Sequence, residues 1–126
     1  MPSGQIIRPR PKPTQQPPYQ ERRVWVRHAC NLDSSCQPFS AGTAEEEEVI
    51  WPAGTRDISQ GGICLLVRRR FEPGTLLSVE VRPASGGNAH FLLAQVVHVL
   101  AQSDGSWRLG CQFVTPLAEE ALQSLL

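Results

Sequence analysis

Apolar and polar residues alternate in short runs through the second half of this chain. Leu77, Val79 and Val81 alternate with Ser78, Glu80 and Arg82, and Trp107, Leu109, Cys111 and Phe113 alternate with Arg108, Gly110 and Gln112. A period of two sends one set to each face of a strand, so both segments read as half-buried strands. Ile63 to Val67 is an uninterrupted apolar run, a short strand closed by Arg68, Arg69 and Arg70. The turn signal Phe71-Glu72-Pro73-Gly74 then predicts that this strand and the 77–81 strand form a hairpin. Phe91 to Leu100 is apolar on both faces, which predicts a central or covered strand, and Ser103-Asp104-Gly105-Ser106 turns the chain after it.

The first half is less regular. Val24 and Val26 flank Trp25 and lead into a first strand running to about Phe39. Ser40 to Glu48 ends in four glutamates, whose mutual repulsion favours an exposed loop. Val49-Ile50-Trp51 opens a second extended segment through Ser59, in which Pro52 and Gly54 predict an edge position or a bulge. At the other end, Thr115 and Pro116 form a helix cap and first-turn pair, and Leu117, Ala121, Leu122 and Leu125 recur at helical spacing. Five or six short strands with Gly, Pro and Asp turns make an all-β chain, an antiparallel barrel or sandwich with a short C-terminal α-helix.

Composition adds an arm. Six of the 11 prolines lie in residues 1–20 among polar and basic residues, a segment that cannot bury enough apolar area to offset its ordering entropy. The expected organisation is a disordered, basic, proline-rich arm over 1–20 and one domain over 21–126. The 126 residues hold a single modest core, and no apolar run reaches the roughly 18 residues of a membrane span. With no apolar signal-peptide stretch at the N-terminus, the expectation is a cytoplasmic protein.

The net charge of zero conceals a polarity. Residues 1–28 carry six basic residues against Glu21 alone, and the remainder carries six basic against 11 acidic. Such an arm attracts nucleic acid, an anionic membrane surface or a small phosphate ligand, and charge alone does not separate them.

Cys30, Cys36, Cys64 and Cys111 are too scattered for a disulfide framework and contain no CxxC pair, so they read as buried free thiols and no metal is expected. His28, His90 and His98 have no carboxylate or cysteine at catalytic or metal-ligating spacing. With no nucleophile elbow and no P-loop, the chain does not read as an enzyme.

Two short motifs carry the remaining chemistry. Arg22-Arg23-Val24-Trp25-Val26-Arg27 gathers guanidinium groups, which are planar, always charged and able to fork onto phosphates and guanine edges together. Taken alone it reads as surface charge. About thirty residues on, Asp57-Ile58-Ser59-Gln60-Gly61-Gly62 offers a carboxylate that can accept from guanine N1 and N2, a hydroxyl on the same strand face, and glycines that leave room. By itself this segment is equally a turn. In this order, with strands following the second, the motifs resemble the PilZ domain, the bacterial receptor module for cyclic di-GMP, with its RxxxR and Asp/Asn-x-Ser-x-x-Gly patterns. Arg108-Leu109-Gly110-Cys111-Gln112-Phe113 is similar to that family's closing strand.

The resemblance implies a six-stranded antiparallel β-barrel with a C-terminal helix, and an arginine segment that folds over the ligand. It further implies that Arg23 and Arg27, assisted by Arg22, hold phosphates and outer guanine edges, that Asp57 and Ser59 reach guanine from the barrel, and that Gly62 permits the approach. No cofactor is implied beyond the ligand, cyclic di-GMP. A downstream protein partner is expected. The alternatives are a small nucleic-acid-binding barrel, disfavoured by the acidic balance of the domain, and a non-binding PilZ-like interaction module. Trp25 has two readings, stacking on a base or packing against the barrel wall.

Overall fold

A computed structural model describes residues 25–39 and 49–126. The expected arm, Arg22 and Arg23, and the tetraglutamate run lie outside the described residues.

Six strands, β1 (His28–Pro38), β2 (Trp51–Ile58), β3 (Gly62–Val67), β4 (Leu76–Val81), β5 (His90–Ala101) and β6 (Trp107–Phe113), precede a helix α1 (Glu119–Leu125). All neighbouring pairs are antiparallel, and the sheet closes on itself in the order β1-β2-β3-β6-β5-β4. Alternation works as its period dictates. Leu77, Val79 and Val81 of β4 are fully buried, as are Leu65 of β3 and Leu109 of β6, and Cys111 and Phe113 are nearly so. Thr55 is buried as well and satisfies its hydroxyl against Ser34 Oγ at 2.6 Å.

Three expectations are corrected. The first is the hairpin. β3 pairs with β2 and β6, and β4 with β1 and β5, so the two stand on opposite sides of the barrel. Their connection crosses the barrel base, where Phe71 is buried. It is anchored there by Arg68 Nη1 donating to the Asp104 carbonyl at 2.9 Å and by Arg69 lying over Phe71 (4.4 Å) and Trp51 (5.5 Å). The turn signal itself is real, since Gly74 has φ 96° and Thr75 N–H donates to Glu72 O. Pro52 is not on an edge, because a closed barrel has none; the other half of that expectation, a bulge, is met by the irregularity between Thr55 and Asp57 of the same strand. It pairs with Ser35 of β1, while the ladder to β3 begins at Ala53.

The second is the cover over β5. Ala94 and Val96 face the core, but Phe91, Val97 and Leu100 are more than half exposed. Helix α1 instead lies at the barrel end, with Leu122 and Leu125 in the core and Ala84 N–H donating to Leu125 O.

The third is the helix start. Ala118, not Thr115, occupies the N-cap position and makes no side-chain cap bond. Leu117 is held out of the helix by a reciprocal pair with Gln60: its N–H donates to Gln60 O at 2.8 Å, and Gln60 Nε2 donates to Leu117 O at 3.0 Å.

Candidate functional site

Asp57 reaches the outer surface because β2 is irregular. Thr55 pairs with Leu65 and Asp57 with Cys64, so Arg56 is an extra residue, and the alternation resets beyond it. Without the bulge, Asp57 would share the inward face of Thr55. With it, Ile58 is fully buried and Asp57 turns outward, its side chain 24% exposed. A second irregularity between Val96 and His98 does the same on β5, aiming His98 outward beside Gly110.

The strand ends at Ile58, so Ser59 does not continue the strand face as its spacing predicts. It sits almost buried in the turn that follows. Its Oγ accepts from Gly61 N–H at 3.1 Å and Gly62 N–H at 3.2 Å, while its own N–H donates to Gly62 O. A short hydroxyl that satisfies two turn amides is the usual reason for serine at such a corner. Its O–H proton has no acceptor among the described residues. Gly62 has a structural requirement of its own, since a Cβ there would overlap the Cys111 carbonyl oxygen across the β3–β6 pair. A Cβ on Gly61 would overlap the Trp25 ring, so the indole packs on that glycine.

Arg27 arrives from the entry segment and places Nη2 3.4 Å from Asp57 Oδ1. Residues thirty positions apart therefore meet at one opening, a cavity of about 330 Å³ on the barrel flank. Gly62, Cys64 and Gly110, neighbours in the β3–β6 register, belong to its lining. Trp25, Arg27, Asp57, Ser59 and Gly61 line it too, together with Val97, His98, Arg108 and Gln112 from β5 and β6. Of the six residues singled out from the sequence, Arg27, Asp57, Ser59 and Gly62 are thus brought together, and Arg22 and Arg23 lie outside the described residues.

The thiols at this site resist ionisation. Burial, and secondarily Asp57, pushes the Cys64 thiol up, and burial pushes Cys111 up to about 12. All four cysteines are free. Among the described residues no cluster of His, Cys, Asp or Glu could hold a metal.

The sequence reading missed His98, Arg108 and Gln112. Arg108 and Gln112 carry a signal, the outward parity of β6. What joins that face to Asp57 is the register Cys64 to Gly110, which no local spacing reveals.

The PilZ domain family model matches residues 20–126. The chain belongs to the PilZ domain family. Among solved PilZ-like folds it is similar to the inhibitor of motility MotI/DgrA of Bacillus subtilis, at 22% identity and TM-score 0.60, over 82% of this chain and 48% of that one. The PilZ domain of YcgR from Escherichia coli, solved with c-di-GMP, matches at 18% identity and TM-score 0.56, over 82% of this chain and 86% of that one. The c-di-GMP complex of K. pneumonia MrkH matches at 20% identity and TM-score 0.52, over 75% of this chain and 44% of that one. This chain thus spans about half the length of MotI and of MrkH. At these identities the likeness is one of fold. No curated protein gives a significant match. Among the described residues no helix is long and apolar enough to cross a membrane.

Proposed function

We propose that this PilZ domain is a receptor for cyclic di-GMP, acting in the bacterial cytoplasm without chemistry of its own. The observation that carries the reading is the meeting of Arg27 and Asp57 at one cavity whose lining includes Ser59 and the small residues Gly62, Cys64 and Gly110. Asp57 accepts from the N1 and N2 donors of a guanine, and the free O–H proton of Ser59 donates to the ligand. Arg27, Arg23 and Arg22 take phosphate oxygens and outer guanine edges, with Gly62 keeping side-chain bulk out of the site. Charge-assisted bonds of this kind, each stronger than a neutral one, offset the cost of ordering the arginine segment. Because that segment joins the proline-rich arm to β1, binding sets the direction of the arm and presents a new surface to a downstream protein.

Titration calorimetry with cyclic di-GMP on wild type, Arg23→Ala, Arg27→Ala and Asp57→Ala tests this. Wild type binds at about 1 μM and each variant at least tenfold more weakly. No heat from wild type at about 0.1 mM ligand would sink the receptor reading. Oligonucleotide binding that falls steeply with salt and depends on Arg8, Arg10 and Lys12 would replace it with nucleic-acid recognition.

A further inference from the structure

The cavity has a second charged wall that neither motif contains. Arg108 stands on the outward face of β6, two residues before Gly110, and lines the cavity with Arg27 and Asp57. Each of the other guanidinium groups nearby has a partner. Arg27 faces Asp57, and Arg56 Nη1 donates to Asn31 Oδ1 at 3.0 Å. Arg108 forms no ion pair or side-chain hydrogen bond among the described residues. Among the described residues two arginines and a single Asp or Glu line the opening, an excess of positive charge.

The floor between these groups is low. Cys64 pairs directly with Gly110, and both line the cavity between Arg27 and Arg108. A Cβ on Gly110 would overlap the His98 imidazole, so that ring packs directly on the glycine. A planar donor fork with no carboxylate partner among the described residues, at the wall of the cavity, suits a phosphate oxygen pair.

Resting on the receptor reading above, we infer that Arg108 is a phosphate-binding residue of this site. It receives one phosphate of the dinucleotide from the β6 wall, while Arg27 engages the ligand from the opposite motif. The ligand is then held by Arg27, which precedes β1, and by a residue fixed within β6.

Calorimetry with cyclic di-GMP on Arg108→Ala, Arg108→Lys and the charge control Arg82→Ala tests this. Arg82 lies at the end of β4 and does not line the cavity. The expected result is at least a tenfold loss of affinity in Arg108→Ala, a smaller loss in Arg108→Lys, which keeps the charge without the fork, and less than twofold change in Arg82→Ala. Raising salt from 0.05 to about 0.5 M should weaken wild type more than Arg108→Ala, because a screened phosphate contact has been removed. The inference is overturned if wild type binds and Arg108→Ala stays within twofold of it, or if Arg82→Ala loses as much. Absence of wild-type binding instead overturns the receptor reading, so the two failures are distinct.

Discussion

Arg27 Nη2 and Asp57 Oδ1 stand 3.4 Å apart, joining the end of the arginine segment to the outer face of the barrel. The arginine side chain is 71% exposed, and a pair so open to water contributes only about 0–1 kcal/mol. Its consequence lies in geometry: the two groups that carry the proposed site are already neighbours.

Stability and binding should therefore separate at this pair. Arg27→Ala is expected to change unfolding free energy by less than about 1 kcal/mol in urea titrations while weakening cyclic di-GMP at least tenfold. Equal losses in the two measurements would mean that Arg27 is a structural residue.

Ser59→Ala should behave differently. It removes the acceptor shared by Gly61 N–H and Gly62 N–H, so it should cost about 1–2 kcal/mol even without ligand. Urea denaturation reads the loss, and faster amide exchange at Gly61 and Gly62 than elsewhere in β3 localises it.

The two adjacent glycines make a contrasting pair. Gly62→Ala drives a methyl group into the Cys111 carbonyl oxygen, and backbone there has little room to yield, so a loss of about 1–3 kcal/mol is expected. Gly61→Ala meets only the Trp25 ring, on the entry segment. Its signature should be a red shift in tryptophan emission as the indole is displaced, with stability nearly unchanged.

The buried thiols set the alkaline limit. Cys36 is raised to about 11 and Cys111 to about 12 by burial, against an ordinary value of 9.0. Both are neutral in the folded and unfolded protein well below pH 9, so their contribution is complete there. Above it the unfolded chain ionises first, and stability falls by up to about 1.4 kcal/mol per pH unit per thiol until the folded values are passed. Urea midpoints from pH 7 to 11 should be flat and then decline, and Cys111→Val should lessen the decline. In thiol titration of the native protein, Cys30, the least buried of the four, should react first.

Much of the barrel is legible in the sequence because a half-buried strand writes its two faces into alternate residues. Leu77, Val79 and Val81 are buried as the pattern requires. Pairing order is another matter. Nothing between Val67 and Leu76 announces that the chain crosses the barrel base, and a good turn signal at Gly74 points to a hairpin that does not form. The C-terminal helix is legible in its Leu122 and Leu125, but its start is set by the Gln60–Leu117 pair, a contact across 57 positions. At the site, Arg27 and Asp57 follow from their motifs. Arg108 and His98 do not, because a bulge in β5 and the register of β3 against β6 bring them there.

Gly62 lines the cavity, yet a side chain at that position is refused by the neighbouring strand. The last residue of the second motif is therefore a requirement of the scaffold whatever the chain binds. A relative that had lost its nucleotide would still have reason to keep this glycine, so its presence is no sign of a working receptor. The residues that would reveal such a loss are those the barrel does not need, Arg27 and Arg108 first among them.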